Sequence, residues 1–316
     1  MSLLYFLESL RNGIWDTVFS LFTFLGEETV VLFILCLLYW CWNKRLAYQV
    51  CFVYFLSGLG TQFLKILCRI PRPWVLDPTF SPVPTALETA TGYSFPSGHT
   101  QSAGSLWGTL GLWEWRRRRR KAALAFALIM PALTGLSRMY LGVHTPWDVL
   151  AGYLISLTAA FLVTGRFARS GGTDRLKAAV PAAPEEGGVR ASRPLALLLF
   201  GISLAVTLAA LILIRTGFTQ AELADDCCKA GAAGMGFALG WYLESNYICF
   251  STQVSLPLQA LKLALGVAGA LAVQSGLKPV LGETLPADIV RYFLLVLWVM
   301  VLYPLLIRRF FPGKSS

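Results

Sequence analysis

The sequence predicts an all-α protein that crosses a membrane as a polytopic helical bundle of about nine spans. Apolar residues fill 56% of its 316 positions, only 14% are charged, and the mean hydropathy is +0.61. About a quarter of the residues in a soluble domain are charged. The apolar runs here approach the roughly 20 residues that a helix needs to cross a bilayer. Composition therefore argues against a soluble enzyme and places any chemistry at a membrane.

The N-terminal stretch, residues 3–25, is apolar but carries spaced charges at Glu8, Arg11 and Asp16. Such spacing is typical of an amphipathic helix lying at the membrane surface. We therefore expect residues 1–26 to form an interfacial helix ahead of the first span.

Nine apolar stretches follow, and each is expected to form a membrane-spanning helix. A Pro-rich loop over 68–95 separates the second and third, and six consecutive cations from Arg116 to Lys121 follow the third. A polar stretch rich in Gly, Ala, Pro and Arg after the fifth is typical of a flexible linker. The expected divisions are a membrane-embedded core over 27–165, a cytoplasmic linker over 166–193 and additional spans over 194–316. The nine predicted spans are 27–42, 46–67, 97–114, 122–141, 147–165, 194–214, 231–250, 257–276 and 288–307.

Basic residues predict the orientation of these spans. Lys44 and Arg45, the 116–121 run, the linker and the C-terminal Arg308 and Arg309 all fall on one side. Because short cytoplasmic loops are enriched in Lys and Arg, that side is expected to be the cytoplasm. The net charge of +10 is explained in this way, and no nucleic-acid partner is expected. We expect a bacterial plasma membrane, with an endoplasmic reticulum membrane as the alternative.

Seven cysteines are present, and none forms a CxxC pair, which argues against zinc binding or thiol-redox chemistry. Most lie in apolar runs, where cysteine packs as a small apolar side chain. Cys68 and the adjacent Cys227 and Cys228 are expected on the same side of the membrane. A disulfide between them is one alternative, and free thiols are favoured.

The first polar segment of interest contains Lys65 and Arg72, at the end of the second predicted span. Pro71 and Pro73 are expected to end that helix and to leave Arg72 at the mouth of a site. Arg contacts a phosphate in a planar bidentate manner, and Lys supplies a point charge. Lys65 alone is better explained by snorkelling to the interface. When Lys65 is considered together with Arg72, the interpretation that the two side chains bind a phosphate is favoured.

The second segment, Pro96-Ser97-Gly98-His99, opens the third predicted span. Proline fits a helix start, where its missing donor is not needed. The backbone donors of Ser97, Gly98 and His99 are then expected to form an anion cradle at the positive end of the helix dipole. An ordinary capped helix start explains Pro96 and Ser97 but gives no reason for His99.

The third segment runs from Ser137-Arg138 to His144 and Asp148. If the fifth helix starts at Thr145, His144 occupies its N-cap and Asp148 lies one turn inside. A carboxylate there can hold one ring nitrogen and leave the other facing a phosphate. The alternative is that Asp148 is a first-turn acid favoured by the helix dipole. One carboxylate is not a two-metal ligand set, so no metal and no cofactor is expected.

Together these segments resemble the three-part signature of the type 2 phosphatidic acid phosphatase (PAP2) superfamily, over about residues 46–165. The resemblance implies a helical, membrane-embedded core similar to vanadium haloperoxidases and a metal-free phosphohistidine mechanism. It implies that His144 attacks phosphorus, Asp148 orients it, and His99 protonates the leaving oxygen and then activates water. The residues implied to hold the phosphoryl oxygens are Lys65, Arg72, Ser97, Gly98 and Arg138.

The expected function is hydrolysis of a phosphate ester, a lipid phosphate or a polyprenyl diphosphate, on the non-cytoplasmic face. The nine-span layout is also similar to that of glucose-6-phosphatases, so a sugar phosphate is the alternative substrate. Phosphotransfer to another lipid acceptor is a further alternative. The non-enzyme alternative is a membrane protein that binds phospholipid, which the presence of His99, His144 and Asp148 argues against. The expected partners are a phosphorylated lipid or small phosphate ester and the surrounding membrane lipids.

Overall fold

The computed structural model describes residues 1–170 and 190–311, and every regular element in these ranges is a helix. The α-helices are α1 (Ser2–Ser9), α2 (Gly13–Phe24), α3 (Glu28–Cys36), α4 (Lys44–Cys68), α5 (Pro73–Leu76), α6 (Gly98–Ala103), α7 (Thr109–Arg118), α8 (Lys121–Tyr140), α9 (Pro146–Ser170), α10 (Arg193–Arg215), α11 (Ala221–Leu243), α12 (Leu256–Gly276), α13 (Lys278–Leu281), α14 (Leu285–Leu297) and α15 (Tyr303–Phe310). A short 3₁₀ turn spans Pro84–Ala86. The all-α prediction is confirmed.

Four helical runs contain a π-helical segment, in which the backbone widens locally. One follows α3, one joins α6 to α7, one follows α11, and one joins α14 to α15. Their bounds are Leu37–Trp42, Gly104–Gly108, Glu244–Ile248 and Trp298–Leu302. The α6 and α7 helices therefore form one nearly continuous element from Gly98 to Arg118.

A helix lies at each of the nine predicted span positions, but the number nine is not confirmed. Six helices of the described residues are long and apolar enough to cross a membrane, or seven if α2 and α3 form one span bent by 44°. The α6–α7 element and α11 are not among the six. Their composition explains why, since the α6–α7 element contains many Gly, Ser, Thr, His and Gln residues, and α11 begins with an acidic stretch and contains several glycines.

Two expectations at the ends of the core need correction. The single amphipathic helix over 3–25 is wrong, because Asn12 caps a new helix by accepting from the backbone of Ile14 and Trp15, which separates α1 from α2. The predicted linker over 166–193 begins in helical structure, because α9 continues to Ser170. Residues 171–189 of that linker lie outside the described residues.

The described chain divides into two compact units. The first comprises Met1–Leu32, Phe52–Gly165 and Ile212–Cys227. Its core includes a cluster of buried side chains from α4, α7, α8 and α9, namely Val53, Leu112, Ala127 and Ala160. A second cluster lies where α8 ends and the Pro-rich loop packs on it, and contains Ala86, Tyr140, Leu141 and Val143. This second cluster fixes the turn that precedes α9.

The second unit comprises Phe33–Cys51, Arg166–Leu211 and Cys228–Ser316. It contains a buried polar group at Glu244, whose side chain is only 2% exposed. The ammonium of Lys44 donates to Glu244 at 2.8 Å, and the hydroxyl of Tyr48 also donates to it. A carboxylate in an apolar setting needs such partners because its desolvation is costly. Glu244 is therefore explained by packing within this unit.

Cys68 is exposed and forms no disulfide, so the alternative in which it pairs with Cys227 or Cys228 is not observed.

Candidate active site

All eight residues predicted for the site lie in the first unit, and the charged ones are almost completely buried. Lys65 and Arg72 are each 5% exposed, His144 and Asp148 each 1%, and Arg138 is inaccessible. Three cations buried together are electrostatically unfavourable unless an anion joins them. The packing alone thus indicates an anion site.

Arg72 stands between two helices, as the flanking prolines predict. The α4 helix ends at Cys68, and Arg72 is the N-cap of α5, with Pro73 in its first position. The guanidinium is held by backbone carbonyls: Nε donates to Gly92 at 3.2 Å, and Nη1 donates to Val143 at 3.0 Å. The same Nη1 lies 2.9 Å from Nε2 of His144. Arg72 is therefore fixed with its charge against this histidine.

Asp148 and Thr145 together cap the start of α9. The backbone N–H of Thr145 donates to Oδ2 of Asp148 at 2.7 Å, and the backbone N–H of Asp148 donates to Oγ1 of Thr145 at 3.4 Å. This reciprocal arrangement is a capping box. The N-cap is thus Thr145, and the expectation that His144 occupies it is wrong by one residue. His144 lies just before the cap, where its ring is free of the helix's own hydrogen bonds.

The His144 ring is positioned from both sides. Its Nδ1 lies 3.4 Å from Oδ2 of Asp148, and its Nε2 faces a nitrogen of Arg72 that carries only donors. The contact requires Nε2 to accept, so the ring proton is assigned to Nδ1. Burial, and then the charges of Arg72, Arg138 and Lys65, hold the pKa of His144 well below its ordinary value. A neutral ring with its lone pair on Nε2 is the form that can attack phosphorus.

Ser97 begins α6 and is completely buried. It is the N-cap, and its hydroxyl accepts from the backbone of Thr100. The Ser97 backbone N–H donates to the Asp148 carbonyl at 2.9 Å, which ties the start of α6 to the start of α9. The N–H groups of Gly98 and His99 have no acceptor within the first helical turn. They are the free donors of the cradle. The expectation that the Ser97 N–H also belongs to it is wrong, because that group donates to Asp148.

Lys65 and Arg138 reach the same place from α4 and α8. A Cβ atom added to Gly98 would lie 3.8 Å from the Lys65 ammonium, so this side chain points at the cradle instead of snorkelling away. Arg138 donates through Nη1 to the Thr89 hydroxyl at 3.2 Å. Arg138 also lies near enough to Lys65 and His99 to disfavour their positive forms, so the structure brings the two cations together.

Several buried polar atoms of the site have no hydrogen-bond partner among the described residues. They are Nδ1 of His144, which has only the 3.4 Å charge contact to Asp148, Nε2 of His99, and both Nε and Nη2 of Arg138. Buried polar groups are nearly always hydrogen-bonded, so each exception requires an explanation. A phosphoryl group between these atoms would supply acceptors for Arg138 and place an ester oxygen near His99.

Sequence reasoning missed two residues that support the site. Ser94 donates to Oδ2 of Asp148 at 2.6 Å, and Thr89 holds Arg138. Their partners are about 50 positions away, so no local pattern reveals them. The role of Thr145 was detectable, because Thr-x-x-Asp before an apolar run is the capping-box pattern.

The close approach of α9 to the cradle depends on Gly152, which gives a testable consequence. A Cβ at this position would lie 2.5 Å from the Ser97 carbonyl oxygen, so the Ser97 backbone must move. Because a misplacement of about 1 Å costs about 10²-fold in rate, we expect Gly152→Ala to lower kcat/KM by that factor. Gly201→Ala is the matched control, since nothing lies within 4 Å of its added carbon. Unchanged turnover of Gly152→Ala would contradict this packing.

Comparison with known families agrees with this geometry. Residues 46–171 match the PAP2 superfamily, and residues 228–315 match the PAP2 superfamily phosphatase, transmembrane extension. All eight predicted site residues fall within the first match. No solved structure matches the chain.

The curated relatives are membrane-lipid phosphatases by name. Phosphatidylglycerophosphatase B of Bacillus subtilis (strain 168) is 31% identical over 108 residues, covering 32% of this chain and 51% of the relative. The probable sphingosine-1-phosphate phosphatase of Dictyostelium discoideum is 30% identical over 169 residues, covering 50% of this chain and 40% of the relative. Undecaprenyl-diphosphatase BcrC of B. subtilis is 27% identical over 157 residues, covering 48% of this chain and 75% of the relative.

The chain thus spans about half of the first relative and less of the second. Its two family matches nevertheless both belong to PAP2 descriptions and are separated by residues 172–227. A multi-pass arrangement of apolar helices accompanies them. On these grounds the chain contains a PAP2 superfamily domain followed by a PAP2 superfamily phosphatase transmembrane extension.

Proposed function

We propose that this protein hydrolyses the phosphate ester of a membrane lipid through a phosphohistidine intermediate on His144. The observation that carries the proposal is the His144 ring held between Asp148 at Nδ1 and Arg72 at Nε2, at 3.4 and 2.9 Å. A nucleophile oriented on one side and facing a phosphate-binding cation on the other is the arrangement that covalent phosphoryl transfer requires. The relatives named as lipid phosphatases support a lipid substrate.

In the first step, the phosphoryl group enters between the cations and replaces His144 as the partner of Arg72. Nε2 of His144 then forms a bond to phosphorus while the bond from phosphorus to the ester oxygen breaks. His99 is protonated in this complex, because the bound phosphoryl anion offsets the cations that otherwise disfavour its charged form. It donates that proton to the departing oxygen. Arg72, Lys65 and Arg138 stabilise the negative charge on the phosphoryl oxygens, and the backbone N–H groups of Gly98 and His99 donate to them. This is electrostatic catalysis by preorganised donors.

In the second step, a water molecule replaces the departed lipid. His99, now neutral, accepts a proton from that water as its oxygen bonds to phosphorus and the bond to His144 Nε2 breaks. Inorganic phosphate leaves, and both histidines return to their starting states. The Nδ1 proton of His144 stays with the ring throughout, held towards Asp148, which offsets the positive charge that the ring acquires in the intermediate.

The decisive experiment is phosphate release by the purified full chain in detergent. The panel contains a phosphatidylglycerol phosphate, sphingosine 1-phosphate, a polyprenyl diphosphate and glucose 6-phosphate, each with and without EDTA. We expect release from a lipid substrate, unaffected by EDTA and absent in His144→Ala. Preference for glucose 6-phosphate would favour the sugar-phosphate alternative, and transfer to an added lipid alcohol would favour phosphotransfer. No release from any substrate would contradict the proposal and favour phospholipid binding.

Inhibition by vanadate tests the phosphate-binding cations. Vanadate adopts the five-coordinate geometry expected of phosphorus during transfer, so it should inhibit competitively with the substrate. Arg138 has two nitrogen atoms without partners in the described structure, and these atoms should bind vanadate oxygens. We expect Arg138→Ala to raise the inhibition constant by at least about tenfold, since a hydrogen bond to a charged group contributes about 1.5–3 kcal/mol. Equal inhibition of both proteins would contradict the assignment.

We also propose that the site faces away from the cytoplasm, in a bacterial plasma membrane or, alternatively, in the lumen of the endoplasmic reticulum. The core would extend over 27–165, and the cytoplasmic linker would join it to the additional spans. Charge distribution supports this orientation. A cysteine introduced at Thr85 should react with an impermeant maleimide from outside, and one at Arg118 only after permeabilisation. The opposite labelling would invert the topology.

A further inference from the structure

A segment outside both family matches packs on the loop that holds Arg72. It comprises residues 216–226, which form the turn after α10 and the start of α11. The guanidinium of Arg69 donates to the Phe218 carbonyl at 2.8 Å and lies 4.0 Å from the centre of the Phe218 ring. This segment therefore contacts the loop between α4 and α5, next to the site.

One carboxylate of this segment connects directly to the phosphate-binding machinery. Oδ2 of Asp226 accepts from the Thr91 hydroxyl at 2.6 Å. The carbonyl of the same Thr91 accepts from Nη2 of Arg72. Asp226 is thus two hydrogen bonds from the guanidinium that faces His144. It lies close enough to both Lys65 and Arg72 to attract them electrostatically.

The charges around the site determine how Asp226 affects an anionic substrate. Lys65, Arg72 and Arg138 supply three positive charges, and Asp148 supplies one negative charge of the site itself. Asp226 adds a further negative charge at the rim. Salt screens the interactions between buried or half-buried charges much less than those between exposed charges. An additional anionic group on the substrate is therefore repelled more strongly than it would be without Asp226.

We propose that Asp226 is a specificity-determining residue that favours lipids with a single phosphate over lipids with a diphosphate. A phosphate monoester brings about two negative charges, and a diphosphate brings about one more. That additional charge interacts unfavourably with the Asp226 carboxylate wherever the second phosphate lies within the mouth of the site. The proposal rests on the proposed function and narrows its substrate class to lipid phosphate monoesters.

The test compares a polyprenyl monophosphate with the diphosphate of the same chain length. Asp226→Asn removes the charge but retains an oxygen that can accept from Thr91. We expect kcat/KM for the diphosphate to rise about fivefold relative to the monophosphate, as one unit charge removed at about 8 Å in a partly aqueous setting predicts. Glu222→Gln removes a charge from the exposed side of the same helix and should leave the ratio unchanged.

Thr91→Val separates the charge from the hydrogen bond. It breaks the contact to Asp226 but keeps the carboxylate, so it should lower kcat/KM for both substrates together and leave their ratio near that of the wild type. A ratio that shifts as much in Thr91→Val as in Asp226→Asn would overturn the proposal, because the effect would then be structural.

Binding of inorganic anions supplies a readout that does not need turnover. By titration calorimetry, Asp226→Asn should tighten pyrophosphate binding about fivefold more than orthophosphate binding. Equal changes for the two anions, or an unchanged hydrolysis ratio in an active variant, would overturn the inference. If the wild type hydrolyses neither lipid, the proposed function fails, while the calorimetric comparison still decides the role of Asp226.

Discussion

Replacement of His144 with Ala is expected to reduce turnover of every substrate by about 10⁵–10⁶-fold, to background. Loss of a covalent nucleophile has an effect of this size in other enzymes. The side chain is 1% exposed and held between Asp148 and Arg72, and its truncation removes Nε2, the atom proposed to attack phosphorus. Steady-state phosphate release measures the effect, and retained vanadate binding shows that the site still forms.

The matched variant is His99→Ala, because its proposed role depends on the leaving group. A good leaving group such as p-nitrophenolate departs without a proton, so it needs the general acid less than an alkyl alcohol does. We expect the variant to retain a larger fraction of the wild-type burst with p-nitrophenyl phosphate than with the lipid ester. Equal losses with both esters would contradict the role of His99 as the proton donor.

Asp148→Asn is expected to have the second largest effect, a loss of about 10³–10⁴-fold in kcat with little change in KM. Replacement of the orienting carboxylate in a comparable triad costs about 10⁴-fold because the ring adopts the wrong tautomer. Here the amide loses the charge that offsets a positive His144 ring. The amide nitrogen also presents donors towards a ring nitrogen that must itself donate.

Ser94→Ala provides the control for Asp148. It removes the 2.6 Å hydrogen bond to Oδ2 but leaves the carboxylate charge and the Thr145 contact. We expect a loss of about tenfold in kcat, equivalent to one charge-assisted hydrogen bond. If Ser94→Ala and Asp148→Asn lower kcat to the same extent, Asp148 acts by packing and not through its charge.

The structure brings the residues predicted for the site together because the restraints on them are local. Proline at 71 and 73 ends one helix and begins the next, so Arg72 is placed between them whatever the tertiary packing. Ser97 and Gly98 begin a helix for similar reasons. His144 and Asp148 are four positions apart, which brings them together at the start of α9.

The predictions that were wrong, and the contacts that were missed, depend on amino-acid composition or on residues far apart in the sequence. The distribution of basic residues places the run at the end of α7 on the cytoplasmic side of the predicted topology. It does not show whether a helix with four charged residues near its end spans a bilayer. The break between α1 and α2 follows from a single cap at Asn12, inside a stretch whose apolar pattern is continuous. The contacts from Ser94 to Asp148 and from Thr91 to Asp226 join residues 54 and 135 positions apart. Only the folded chain reveals them.

The most direct test of the proposed chemistry is the position of the trapped phosphate. The wild-type protein is mixed with a labelled lipid phosphate, quenched within the burst phase in base, digested and analysed by mass spectrometry. We expect an acid-labile, base-stable phosphate on His144, absent in His144→Ala and still formed in His99→Ala with an activated ester. Phosphate trapped on His99, or on His144→Ala protein, would contradict the assignment of His144 as the nucleophile.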